Sequence, residues 1–250
     1  MVDTDAAWER IAKNDPYWGV LSTDDFLGNV LEGEVKERFF RSGQEHIDHV
    51  LEVLRSHVAP GFMPRSALDY GCGVGRLLLP LANICDRVVG IDVSTTMLQR
   101  ASENLASEGL GNVELRRPSE LDSIPRVQLV HSVLVLQHMN PRRGMATLAA
   151  LVDLLEPGGC GAVQFHLRGA GSPVVRLVRS LRARSDAVNR AIVSMGRRPA
   201  REALVLMHEY DSTEVLRCLA AGGAPGVFLE TRALPDGDTN VIMYFRKAAS

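Results

Sequence analysis

Three glycines alternate in the stretch Asp69-Tyr70-Gly71-Cys72-Gly73-Val74-Gly75. Glycine lets a backbone approach a ligand closely and adopt positive φ. If a helix follows such a turn, its unpaired N–H groups and partial positive charge face the same ligand. The chemistry suggested is nucleotide recognition, and the spacing narrows it. A dinucleotide fingerprint, G-x-G-x-x-G, uses its third glycine for tight helix–strand packing. Here the spacing is G-x-G-x-G, and Arg76 stands where that third glycine would fall. Asp69 precedes the first glycine by two, and Asp92 ends the next apolar run, where its oxygens can accept both hydroxyl protons of a ribose. The set favours a nucleoside ligand without a pyrophosphate. A bare tight turn would need neither carboxylate.

Other residues are candidates for proton transfer or substrate contact. His138, in Leu136-Gln137-His138-Met139-Asn140-Pro141, is the first choice for a general base, with a helix-start hydrogen bond as its alternative. His166, at the end of an apolar run, and His208, in His208-Glu209-Tyr210, are further candidates. The latter segment also reads as a cap interaction with Asp211 and Ser212. His131 lies within an apolar run and reads as a cofactor-lining or buried residue, while His46, His49 and His57 read as helix-surface residues. Trp8, Tyr17, Trp18, Phe39 and Phe40 concentrate aromatics near the N-terminus. Tyr17 and Trp18, with Tyr210, are expected to wall a substrate; the alternative is that the N-terminal aromatics only dock helices on a sheet. The stretch from Arg168 to Arg201 holds nine arginines against one acid, Asp186, with apolar residues at helical spacing. It reads as a solvated face over a cap core, a site for an anionic acceptor, or a membrane-surface helix.

These residues need elements to position them. Trp8, Ile11 and Ala12 make a short apolar face that Asp15-Pro16-Tyr17-Trp18-Gly19 breaks, and a helix is expected from about Ser42 to His57. From Arg65 the rhythm alternates. Strands are predicted at 66–70, 87–91, 113–116, 127–133 and 161–167, with helices at 75–83, 94–107 and 144–155 between them. Pro80 is tolerated in the first of these helices only within its first turn. Two helices are expected within 172–194, another at 212–221, then strands at 226–231 and 240–246 around the turn Pro235-Asp236-Gly237-Asp238. The pattern predicts a doubly wound, mostly parallel α/β sheet of seven strands with a terminal antiparallel hairpin. It divides into an N-terminal helical lid (1–60), a nucleoside-binding core (65–167), a helical cap insertion (168–211) and a C-terminal helix and hairpin (212–250).

The segments LDYGCGVGRLLLPLA (68–82), VVGIDVSTTML (88–98), LVHSVLVLQHM (129–139) and LEPGG (155–159) together resemble the strand motifs of class I S-adenosylmethionine (SAM) dependent methyltransferases. The resemblance implies a Rossmann-like fold, SAM as cofactor with S-adenosylhomocysteine as product, and no metal. It implies that Gly71, Cys72, Gly73 and Gly75 wrap the methionine and ribose parts, and that Asp92 holds the ribose diol. Val93 and Met97 would pack on adenine, Asp69 would reach the amino group through water, and His131 would line the methionine side. Ser42 and Gly43 would touch the methionine carboxylate, as in related enzymes whose N-terminal helix covers the cofactor. The family often has an acidic residue after strand three; here Ser119 or Glu120 must substitute.

Composition fits this picture. At 250 residues, 46% hydrophobic and 23% charged, the chain is an ordinary globular one, and its net charge of −2 gives no reason to expect nucleic acid. The end of strand four reads Ser132-Val133-Leu134-Val135, not the Asn/Asp-Pro-Pro-Tyr/Phe of amino-directed nucleic-acid and protein methylases. Cys72, Cys85, Cys160 and Cys218 stand far apart, which suits a reduced, cytoplasmic setting. Residues 1–15 lack the apolar run of a signal peptide, and no uncharged run suits a bilayer span. The expected activity is methyl transfer to oxygen or nitrogen of a small molecule, such as a sugar or secondary metabolite. A peripheral membrane contact and a homodimer are compatible with the sequence. The rival readings are a non-catalytic SAM-binding scaffold and a dinucleotide-dependent oxidoreductase.

Overall fold

Polar side chains set where the helices begin. Ser94 Oγ accepts from Met97 N–H, Asn140 accepts from Arg142 N–H ahead of Pro141, and Asp211 accepts from the N–H groups of Thr213 and Glu214. The computed structural model describes residues 4–28, 30–167, 207–233 and 239–249. Its helices are α1 (Thr4–Asn14), α2 (Pro16–Val20), α3 (Gly33–Val53), α4 (Leu78–Ile84), α5 (Thr95–Ser107), α6 (Pro141–Asp153) and α7 (Ser212–Ala221). The strands are β1 (Ser66–Tyr70), β2 (Arg87–Ile91), β3 (Val113–Arg116), β4 (Val127–Ser132), β5 (Leu155–Leu167), β6 (Val227–Ala233) and β7 (Thr239–Arg246).

The described strands form one sheet in the order β3-β2-β1-β4-β5-β7-β6. The first five are parallel, and β7 runs antiparallel to both β5 and β6. This is the mixed seven-stranded sheet expected from the sequence. Strand order reverses between β1 and β4, so a crevice must form beyond their carboxyl ends. Side chains alternate across the sheet as its pleat requires. Val88, Leu129 and Tyr244 meet Ile47 and Leu51 of α3, Leu78 of α4 and Leu105 of α5 on one face. Val89, Val130 and Phe245 meet Leu148 and Leu151 of α6 and Leu219 of α7 on the other. No helix among the described residues is long and apolar enough to cross a membrane.

Several boundaries differ from the sequence expectation, and β5 begins at Leu155, not Gly161. Helix α3 starts at Gly33, not near Ser42, because Phe39 and Gly43 continue the buried stripe of Ile47, Val50 and Leu51 upstream. It ends at Val53, with a wide turn over Leu54–Val58 in place of its last turn. The glycine turn runs on so that α4 begins only at Leu78, which puts Pro80 in its first turn. Helix α6 begins at Pro141, three residues before Gly144, because Asn140 caps it. The expected helices within 172–194, the arginine-rich stretch and the 235–238 turn lie outside the described residues.

Tyr210 is one of the largest fully buried side chains. Its hydroxyl donates to the carbonyl oxygens of Leu136 (2.7 Å) and Met139 (3.1 Å), pinning the segment after β4. Its Tyr210→Phe variant leaves those carbonyls without their donor, at a cost of about 1–2 kcal/mol. Chemical denaturation should show that loss; an unchanged midpoint would contradict the assigned role.

Candidate functional site

A pocket lies at the crevice beyond β1 and β4. Its core-side wall includes Asp69, Gly71, Cys72, Gly73, Arg76, Asp92, Val93, Met97, Pro118, Val133, Leu134, Val135 and His138. Thr4, Asp5 and Trp8 of α1 and Gly19 and Val20 of α2 close it from the other side.

The glycine turn is fixed by its neighbours. Gly71 and Cys72 both donate backbone N–H groups to Ile91 O, at 2.7 and 2.9 Å. Gly71 has φ +82°, and a Cβ there would lie 2.2 Å from Val135 Cγ2. Only glycine meets both demands. Asp92 then ties the turn to the next helix: Oδ2 accepts from Gly73 N–H (2.9 Å) and Oδ1 from Ser94 N–H (2.8 Å). Burial raises the Asp92 carboxyl to about 6 even though these two hydrogen bonds oppose it, and the neighbouring Asp69 adds to the rise. Groups that donate to this carboxylate favour its charged form.

Asp69 is 2% exposed and pairs across the ladder with His131. His131 Nδ1 lies 2.8 Å from Asp69 Oδ1. Arg76 is 6% exposed and makes no carboxylate ion pair among the described residues. Nη1 donates to Ser42 Oγ at 3.3 Å, while Nε is buried with no hydrogen-bond partner among the described residues. Burial lowers Arg76 to about 10, and Asp69 works against that fall, so the guanidinium stays cationic near neutral pH. A buried cation with an orphaned donor is costly unless something anionic meets it. The pocket therefore offers both a carboxylate and a guanidinium in one lining.

Opposite these, Val93 and Met97 supply an apolar wall with Pro118. Ser119 and Glu120, the expected substitutes for an acidic adenine contact, lie off the lining. Glu120 instead accepts from Arg117 N–H (2.8 Å) and Arg116 (3.0 Å), closing its own short helix. Gly75 is also off the lining and packs against Ala101 of α5. Leu134, in the pocket wall, has φ +63°, the one non-glycine residue with positive φ among the described residues. Such strain persists only where the surroundings enforce it.

The lid differs in detail from the expectation. Tyr17 meets Phe39 edge-on at 5.1 Å between ring centroids, in a cluster with Phe26 and Leu31. Trp18 is buried too, and neither lines the pocket. The lid aromatic that does is Trp8, edge-on to His138 at 5.1 Å. Ser42 and Gly43 stop short of the pocket and brace Arg76. A Cβ at Gly43 would lie 2.3 Å from Arg76 O. Trp8 and Arg76 were missed as site residues; a charged side chain between a glycine turn and Leu77-Leu78-Leu79 was the available signal for Arg76.

Of the candidate bases, only His138 reaches the pocket. Gln164 Nε2 donates to Gln137 Oε1 (3.0 Å), which leaves the Gln137 amide nitrogen facing His138 Nε2 at 3.3 Å. In that chain Nε2 accepts and the ring proton sits on Nδ1. His166 is buried against Asn240, His208 binds Gln137 O through its backbone, and Tyr210 serves the core, so all three stand off the lining.

Residues 67–159 match the family described as Methyltransferase domain. Over 121 residues, 48% of the chain, the sequence is 31% identical to an uncharacterized RNA methyltransferase of Thermosynechococcus vestitus. The chain spans about a quarter (26%) of that relative's length. The magnesium protoporphyrin IX methyltransferase of Synechocystis superposes with a TM-score of 0.58 at 18% identity, covering 93% of each chain. The N-methyltransferase NodS of Bradyrhizobium japonicum gives 0.60 at 16% identity, covering 98% of this chain and 99% of its own. These structural likenesses show a shared fold. The glycine turn and Asp92 both fall within residues 67–159, the stretch that matches a methyltransferase domain.

Glu9 anchors the lid. Its carboxylate accepts from Ser94 Oγ (2.7 Å) and Thr96 Oγ1 (2.6 Å) at the start of α5. Burial pushes its carboxyl up, but the hydrogen bonds from Thr96 and Ser94 outweigh that and take it down to about 2. A depressed folded-state value means that this anchorage is fully present above about 4.5 and is lost as pH falls toward about 2. Glu9→Ala should cost about 1 kcal/mol of docking. Hydrogen exchange of the α1 amides should quicken accordingly, and identical protection in the variant would contradict the anchor.

Proposed function

We propose that this chain transfers the methyl group of SAM to an oxygen or nitrogen of a small molecule. The observation that carries the reading is the presence of both Asp69 and Arg76 in one pocket beyond the glycine turn. An amino-acid end carries one ammonium and one carboxylate, and this pair supplies a partner for each. The orphaned Arg76 Nε is the donor such a carboxylate would satisfy. Asp92 would accept the ribose hydroxyls, and Val93, Met97 and Pro118 would flank the adenine. A dinucleotide offers no zwitterion for Asp69 and Arg76. Structures of the two fold relatives hold S-adenosylhomocysteine, which supports the same ligand here.

The bound cofactor would supply an activated methyl group on a sulfonium, and the chain's task is to align a nucleophile with it. Trp8, Val20, Val135 and Met139 give the acceptor side apolar walls under a closed lid, which favours a small molecule. His138 stands beside Trp8 as the group able to take a proton from an alcohol or phenol. It must give up the Gln137 contact to do so, which suits it better to orienting the acceptor than to deprotonating it. The RNA methyltransferase relative favours a second reading, an RNA acceptor on the same cofactor site.

The test is incubation of the full chain with methyl-labelled SAM and, separately, metabolite extracts and total RNA. Label in a small product heavier by one methylene is expected. Label in RNA alone would favour the second reading. Cofactor binding without transfer to either would support a scaffold, and binding of NAD(P) but not S-adenosylhomocysteine would overturn the reading. Arg76→Met should weaken S-adenosylhomocysteine by at least about tenfold, the worth of a charge-assisted hydrogen bond.

A further inference from the structure

We propose that His131 and His46 are positioning residues for the cofactor's ammonium group. With Asp69 they form a hydrogen-bonded line from the pocket, through β4, to helix α3. The inference rests on the SAM reading above and adds to it residues that touch no cofactor.

The line is continuous, buried at Asp69 and His131 and half-buried at His46. Asp69 Oδ1 to His131 Nδ1 is 2.8 Å, and His131 Nε2 to His46 Nε2 is 2.9 Å, with the two imidazoles edge-on at 79°. Asp69 and His131 are 2% and 0% exposed. A carboxylate only accepts, so Nδ1 of His131 carries a proton, and one further proton must lie between the two Nε2 atoms. The arrangement occupies Oδ1 and fixes the plane of the Asp69 carboxylate. Oδ2 makes no hydrogen bond among the described residues and belongs to a side chain that lines the pocket.

Helix α3 is already held on the sheet by Ile47, Val50, Leu51 and Leu54. Apolar side chains at 46 and 131 would serve that packing as well, since buried polar pairs add little net stability over apolar ones. What the polar line adds is a defined orientation at Asp69. Burial, then the neighbouring His131, Arg76 and His49, takes His46 down to about 2, so it remains a neutral member of the line. The same turn of α3 also braces the opposite charge. Ser42, four residues before His46 and on the same helix face, accepts from Arg76. One turn of the helix thus steadies both halves of the zwitterion receptor, directly for Arg76 and through His131 for Asp69.

Calorimetry on the full chain separates this role from simple packing. The ligands are S-adenosylhomocysteine, which carries the amino-acid end, and 5′-methylthioadenosine, which lacks it. His46→Leu should weaken S-adenosylhomocysteine by about tenfold while shifting 5′-methylthioadenosine by less than about twofold, as loss of one oriented charge-assisted contact requires. His46→Gln, whose amide can again meet His131 Nε2, should recover most of the loss. His131→Asn keeps an N–H for Asp69 but falls short of His46. It should show the His46→Leu pattern, and the double variant should be no worse than either single change. Equal weakening of both ligands, no weakening, or failure of glutamine to rescue would overturn the inference. If the unaltered chain binds neither ligand, the SAM reading itself falls, an outcome distinct from any of these.

Discussion

Asp69, near the end of an apolar strand, and Arg76, seven residues on in the turn that follows, are both almost wholly buried. Opposite charges in such a place are tolerable only where the surrounding structure supplies hydrogen bonds and the site's ligand supplies the rest. Much of the architecture answers to that constraint. The strand reversal opens the crevice into which both side chains project. The glycine turn lets the chain pass from one to the other without filling the space between. Helix α3, long and early in the chain, reaches back to steady each.

The rest of the pocket is assembled around this pair by elements from distant parts of the sequence. Asp92 joins the turn after β1 to the helix after β2 through two backbone N–H groups. Glu9 joins the lid to that same helix. The lid is therefore anchored on the element whose first turn forms the apolar wall of the pocket, and Gly19 lies against Met97 there. At the exposed rim Arg143 and Asp5 pair at 2.6 Å between α6 and α1, a contact worth little alone but one that marks where the lid meets the acceptor side.

The sheet was legible because its signals are local. Alternating apolar runs, glycines at strand ends and capping residues determine where strands and helices start, and the spacing G-x-G-x-G with Asp69 and Asp92 pointed to the nucleoside crevice. The departures have a different character. Trp8 and not Trp18 faces the pocket because Pro16 ends one helix and opens another, and no periodicity reports the angle between them. Tyr210 went to the core because its hydroxyl finds carbonyls more than seventy positions away. His46 reads as a surface residue in helical pattern, yet it meets His131 across a separation of eighty-five residues. Arg76 was visible as an oddity in a hydrophobic run, but its partner Ser42 was not. Local chemistry placed the backbone of the site; the side chains that tune it depend on long-range contacts.

Under the proposed function, one pocket receives the nucleoside and the zwitterion of SAM together. A crystal structure of the full chain with S-adenosylhomocysteine tests it most directly. The ribose hydroxyls should lie on Asp92, the adenine between Val93, Met97 and Pro118, the carboxylate on Arg76 and the ammonium facing Asp69. An amino-acid end pointing away from Asp69 and Arg76, or a nucleoside bound elsewhere on the chain, would contradict it.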